Sequence, residues 1–183
     1  MEGIDETFDA AMLVGYHARA MTPDGTISHT MLFRVRNLWY GDAKVGESGI
    51  SAAHAGYYGV PLVFASGCER LCAEIGEVIS PQVETVAVKE AITRECVRLY
   101  PVEDARQRIR ASVAQALRRR DQIAPYKPGE PMVCRMGLTK VEQAEAAAMV
   151  PGVQLVEPGI VRFEVANGLE AANMVSVLLD VSG

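Results

Sequence analysis

The chain has 183 residues, 49% hydrophobic and 22% charged, which places it among globular proteins large enough to bury a core as one domain or two small ones. A net charge of −5, with Arg118-Arg119-Arg120 as the only basic run, argues against a nucleic-acid partner, because such binding rests on Lys and Arg displacing phosphate counterions. Cys68, Cys72, Cys96 and Cys134 are too few for a disulfide framework, the acidic start MEGIDETFDAAM has no signal-peptide order, and no apolar run could cross a bilayer. A cytoplasmic protein without a membrane partner is therefore expected.

In chain order, AAMLVGY (residues 10–16) reads as a strand buried on both faces, which leaves His17 just past a strand end. Thr22-Pro23-Asp24-Gly25 is a turn signal in an ordered loop. Met31 to Arg36 and Leu38 to Tyr40 are β-prone, Gly41-Asp42 supplies a turn, and Lys44-Val45 completes a hairpin that leads into Gly46-Glu47. The small-residue stretch SGISAAHAGYYG then predicts a tightly packed helix stopped at Gly59, and PLVFAS (61–66) a further buried strand. Strand, helix, strand is the βαβ signature of an α/β sheet. A helix over 69–78, a strand over 85–88 and a long helix over 102–120 continue it, the last closing on its arginines in accord with the helix dipole.

The proline-rich stretch 121–131 reads as a linker or long loop. Beyond it come a strand (132–136), a helix (139–149), strands at 153–156 and 160–165, and a helix from Gly168. The expected fold class is α/β, a three-layer sheet with helices on both faces, plus a smaller C-terminal α+β lobe. The division is 1–124 for the catalytic region and 125–183 for the lobe of the same unit.

Only three histidines are present, and His17 and His29 fall close together in GYHARAMTPDGTISHTM. A strand end at the carboxyl edge of an α/β sheet is where such folds build sites. Glu47 sits at the predicted helix start, where a carboxylate also suits the unpaired amides, and Gly46 and Gly49 allow close backbone approach. His54 lies seven residues on, about 10.5 Å along the axis, too far to share an ion with Glu47, so it is read as structural. No nucleophile elbow, phosphate loop or dinucleotide motif is present. Two histidines and a glutamate point to a divalent metal such as zinc, which in hydrolytic sites keeps a position open for water.

GYHARAMTPDGTISHT and VGESGISAAHAGYYGVP together resemble the zinc-dependent D-aminopeptidase family, the self-compartmentalising bacterial metallopeptidases of dipeptide transport operons; VAVKEAITR and GLEAANMVSVL extend the likeness over nearly the whole chain. The resemblance implies an α/β catalytic domain with a pair of zinc ions, a homo-oligomeric ring, and removal of N-terminal, D-configured amino acids from short peptides or amino-acid amides. It implies zinc ligation by His17 and Glu47, with His29 as the catalytic histidine, a general acid/base beside the metal. Arg19, Lys89 and Arg94 lie in matching segments.

The sequence departs from the family pattern in several places. Family members begin with a strand ending in Ser-x-Asp-x-Glu-Gly and carry a further histidine before GYHARA, which supply the remaining ligands; Glu2-Gly3 lacks the preceding Ser and Asp. The chain thus reads as roughly the C-terminal two thirds of a member, with the N-terminal strands of the fold missing and a sheet edge left open to association. Cys68 stands where aspartate is common, and Ser51 where asparagine is usual. Two functions follow: a metallopeptidase completed by a preceding segment or a separate chain, or a non-catalytic binding or scaffold subunit.

Overall fold

The computed structural model describes residues 1–183. Strand β1 (Ala11–Tyr16) runs parallel to β4 (Leu62–Cys68), and β4 parallel to β5 (Glu84–Ala91); a short β6 (Val97–Leu99) adds antiparallel to β5, giving the order β1-β4-β5-β6. Helix α1 (Glu47–Tyr57) lies between β1 and β4 in sequence and α2 (Glu69–Val78) between β4 and β5. Both steps go the same way across the sheet, which right-handed crossovers place on one face. Every residue of β4 is buried, as expected of a central parallel strand, whereas β1 is an edge with Val14 exposed.

The second sheet is antiparallel, in the order β3-β2-β7-β9-β8. It joins the hairpin β2 (Val35–Tyr40) and β3 (Ala43–Val45) to β7 (Met132–Leu138), β9 (Ile160–Val165) and β8 (Val153–Glu157), so the C-terminal strands and the early hairpin form one sheet. Helices α4 (Val141–Ala147) and α5 (Gly168–Val181) pack on it, and α3 (Val102–Arg118) packs on β4 and β5. The expected α/β architecture is present, as two sheets and five helices.

Several boundaries differ from those read off the sequence. Residues 31–34 are not strand: Met31 takes φ 63°, and its N–H is bonded to the Glu47 side chain instead of a ladder partner. The third parallel strand extends to Ala91 because β6 pairs with its end, a pairing the isolated sequence Val97–Leu99 did not signal. Helix α4 starts two residues later than expected, since Gln143 Oε1 accepts from Thr139 Oγ1 and the Lys140 N–H and so closes the chain before the first turn. After α3 a single 3-10 turn (Arg120–Gln122) follows, and Arg119 pairs with Glu84 at 2.9 Å.

Helix α1 is the wall between two cores. Ala52 and Ala55 belong to the core around Phe64 and Leu71, while Ile50 and Ala53 belong to the core around Phe163 and Leu178. Small side chains on both sides explain its composition, since elements approach it from two directions. At Gly168, the first residue of α5, an added Cβ would lie 2.2 Å from the Ala53 carbonyl oxygen. Gly168→Ala is therefore expected to destabilise the fold by about 1–3 kcal/mol, checked by urea denaturation; an unchanged midpoint would show that α1 and α5 can separate without cost.

The four thiols are free and unequally placed: Cys68 and Cys134 are buried, Cys72 half-buried and Cys96 exposed. Burial pushes the Cys134 thiol up to about 12 and also raises that of Cys72. Because the thiolate is the reactive form, a thiol reagent at neutral pH should label Cys96 rapidly and the other three only on unfolding. Rapid native labelling of Cys134 would mean that the second core is open.

Candidate metal centre

The parallel strand β1 ends at Tyr16, so His17 emerges at the carboxyl edge of the first sheet. The chain then makes a loop through His29 before entering β2, and the β2–β3 hairpin delivers Gly46 and Glu47 back to the same edge as the start of α1. All three residues singled out from the sequence meet there. The His17 Nε2 lies 3.7 Å and the His29 Nε2 3.6 Å from Glu47 Oε1, and the two imidazoles stack with centroids 4.0 Å apart at 18°. Each side chain is about one fifth to one quarter exposed, at 19%, 24% and 24%.

Hydrogen bonds decide what these atoms present. His17 Nδ1 lies 3.0 Å from the Ala18 carbonyl oxygen and His29 Nδ1 2.8 Å from that of Ile27. A carbonyl can only accept, so each Nδ1–H donates, and a ring carrying that proton alone turns the lone pair of Nε2 towards Glu47. Glu47 Oε1 in turn accepts the Met31 N–H at 2.8 Å. Two nitrogen lone pairs and a carboxylate oxygen facing one another is an arrangement that a cation relieves.

The donor set fits a divalent metal. The three ligand atoms lie within 4.8 Å of one another. Zinc bonds of about 2.0–2.2 Å set tetrahedral ligands about 3.3–3.6 Å apart, close to the 3.6 and 3.7 Å separations from Glu47. Anchoring each Nδ1–H on a carbonyl is also the outer bond that orients metal-ligating histidines. His54 stays apart from this cluster, stacked on Tyr58 at 6.1 Å between centroids; burial, and secondarily the positive amino terminus, hold its imidazole below the ordinary value.

The loop that carries the histidines into β2 is strained. Met21, Asp24, Ile27 and Met31 have φ of 60°, 52°, 43° and 63°, and none is glycine. Left-handed backbone at a β-branched residue such as Ile27 is costly, on the order of 1–3 kcal/mol. The two residues nearest the site use the geometry directly: Ile27 offers its carbonyl to His29, and Met31 its N–H to Glu47.

A group that sequence reasoning passed over holds the frame. Glu74 of α2 is 3% exposed, and its Oε2 accepts the Arg19 N–H at 2.8 Å and faces Arg19 Nη1 at 3.5 Å, while its Oε1 accepts the Ser48 hydroxyl at 2.8 Å. One carboxylate thus clamps the residue two beyond His17 to the residue one beyond Glu47. Gly46 is required alongside, because a Cβ there would meet Arg19 Cβ and Glu74 Oε1, both at 2.8 Å. The signal was available: Leu71, Glu74, Ile75 and Val78 share one helical stripe, and an acid on an apolar stripe demands buried partners.

Fold and site together define an α/β protein with a candidate divalent-metal centre at the carboxyl edge of its parallel strands. The chain belongs to the D-aminopeptidase family, whose sequence model matches residues 1–177. It is 37% identical over 183 residues to a D-aminopeptidase of Bacillus subtilis (strain 168), a match that covers 100% of this chain and 66% of the relative. It also superimposes with a TM-score of 0.93 and 36% identity on the structure of the Zn-dependent D-aminopeptidase DppA from Bacillus subtilis, described as a self-compartmentalizing protease. That likeness covers 99% of this chain and 66% of the solved one, so the chain spans slightly less than two thirds of the length of the relatives it matches.

Removing the clamp should be felt at the centre. Glu74→Gln is expected to weaken zinc binding by about 10–100-fold, as loss of an orienting outer group does. Glu74→Ala should in addition destabilise the fold by about 3–5 kcal/mol by leaving Arg19 without its buried partner. Chelator competition and urea titration measure the two effects; unaltered zinc affinity in Glu74→Gln would show that the clamp does not reach the histidines.

Proposed function

We propose that this chain carries the catalytic face of a zinc-dependent aminopeptidase that hydrolyses N-terminal, D-configured residues from short peptides. The observation that carries this reading is the convergence of His17 Nε2, His29 Nε2 and Glu47 Oε1 within 4.8 Å, with both Nδ1 atoms committed to carbonyls. His17 and Glu47 would hold the ion. Bound zinc supplies Lewis acidity towards a peptide carbonyl and makes water acidic enough to attack near neutral pH. The Zn-dependent description of the Bacillus subtilis DppA structure supports the choice of metal.

His29 is the proton carrier in this reading. Its Nε2 takes a proton from the attacking water and returns it to the departing amine, while the Nδ1–H on Ile27 keeps the ring in the tautomer that can do so. Met31 N–H fixes Glu47 Oε1, so the carboxylate is aimed before substrate arrives. A catalytic zinc takes three protein ligands. With His29 reserved for proton transfer, the remaining ligation comes from a separate segment or chain. Assembly into a homo-oligomer is supported by the self-compartmentalizing description of the relative, and four free cysteines suit the cytoplasm. No helix is long and apolar enough to cross a membrane.

Zinc analysis and hydrolysis of D-alanyl peptides test the proposal. His17→Ala and Glu47→Gln should each lower zinc affinity on the order of 100-fold or more and abolish turnover, since they remove ligands outright. His29→Gln should keep its zinc and lose about 10²–10⁴ in kcat. Its separation from Glu47, 3.6 Å against 3.7 Å for His17, favours a second reading in which His29 is the third ligand. That reading is correct if His29→Gln loses metal as His17→Ala does. A chain supplied with the segment or partner that completes the ligand set, yet neither binding zinc nor cleaving D-alanyl peptides, would overturn the catalytic reading in favour of a non-catalytic subunit.

A further inference from the structure

Beside His29 the structure opens a cleft of about 970 Å³ whose walls come from three places: the strained loop, the start of β2, and the β5–β6 turn. Part of its lining is apolar. Met21, Ile27 and Phe33 line it, and they are 61%, 48% and 66% exposed, an unusual amount of large apolar surface to leave in water at one spot. Two of the positive-φ residues, Met21 and Ile27, are among these lining residues, so the backbone strain falls where the loop meets the cleft.

Cations outnumber anions in the cleft, and the one carboxylate is an exposed partner that a ligand's carboxylate would have to displace from Arg94. Arg36 and Arg94 line it, against one carboxylate, that of Glu95, which is 83% exposed and 3.5 Å from Arg94. Arg94 is held in place by its neighbours: its guanidinium sits 5.3 Å from the centroid of the Phe33 ring, and its carbonyl accepts the Ile27 N–H at 2.8 Å. Phe33 in turn packs 5.0 Å from the His29 ring. A continuous path therefore runs from the candidate metal centre through His29 and Phe33 to a cation.

We infer that this cleft receives the C-terminal side of a short peptide, with Arg94 pairing to the free α-carboxylate and Phe33, Ile27 and Met21 taking the adjoining side chain. The inference rests on the aminopeptidase reading for its orientation: the bond to be cut lies at His29, so the leaving portion extends away from the centre along the cleft. A planar guanidinium matches a carboxylate in two parallel hydrogen bonds, which an uncharged amide cannot reproduce. The cleft's size suits a small ligand of a few residues. The substrate class is thus narrowed from short peptides and amides in general to short peptides ending in a free carboxylate.

The test compares D-alanyl-D-alanine with its C-terminal amide on wild type, Arg94→Ala, Arg94→Lys and Phe33→Ala. Wild type should favour the free acid by about tenfold in kcat/KM, and Arg94→Ala should erase that preference, chiefly through KM of the free acid. Arg94→Lys should retain part of it and Phe33→Ala should weaken it. The same acid-over-amide preference in Arg94→Ala as in wild type overturns the inference. Calorimetric binding of both ligands to the zinc-free chain separates this from failure of the catalytic reading. Acid-selective binding that disappears in Arg94→Ala supports the cleft even if no peptide is cleaved. Binding without selectivity, or no binding of either ligand, overturns it.

Discussion

The Glu74 carboxylate reaches from α2 to two segments far apart in sequence, the start of the histidine loop at Arg19 and the start of α1 at Ser48. Together with the Met31 N–H bond to Glu47, this tie holds His17 and Glu47 in register, although one follows a strand of the first sheet and the other a hairpin of the second. A carboxylate this deeply buried is stable only when its oxygens are bonded, and here both are. The same demand removes the side chain at position 46, so that the clamp, the glycine and the helix start form one arrangement.

Around that clamp the loop trades regular hydrogen bonding for positioning. A strand over residues 31–34 would have sent the Met31 N–H into a ladder; the left-handed turn sends it to Glu47. Ile27 likewise gives its carbonyl to His29 and its N–H to Arg94. These choices cost backbone energy. What they produce is a pair of imidazoles with one nitrogen occupied and the other free, aimed at one carboxylate oxygen. Membership of the D-aminopeptidase family gives the arrangement a chemical context, and the chain's 66% coverage of the Bacillus subtilis relative makes the source of any further ligand an experimental question.

Much of the frame could be read directly from residues. The apolar run of β1, the fully buried β4 and the glycine and alanine content of α1 announce themselves, because each needs only a periodicity or a packing constraint to be recognised. His17, His29 and Glu47 stood out through scarcity and through position at element ends. The short β6 did not, since three residues acquire strand character only from the partner beside them. Nor did Glu74, although its place on an apolar stripe of α2 was a warning that local sequence contained.

By itself the sequence singled out the candidate residues for chemistry and the elements they terminate, along with the family the chain resembles, because these depend on side-chain type and on local spacing. Only the tertiary structure decided how the residues meet. Sheet pairing between the early hairpin and β7, the burial of Glu74 and the left-handed turns at Ile27 and Met31 join positions tens of residues apart. Spacing along the chain does not encode such contacts; they are set by how two sheets close on one small-residue helix. The cleft that places Arg94 beyond Phe33 belongs to the same category, being made where three separate segments come together.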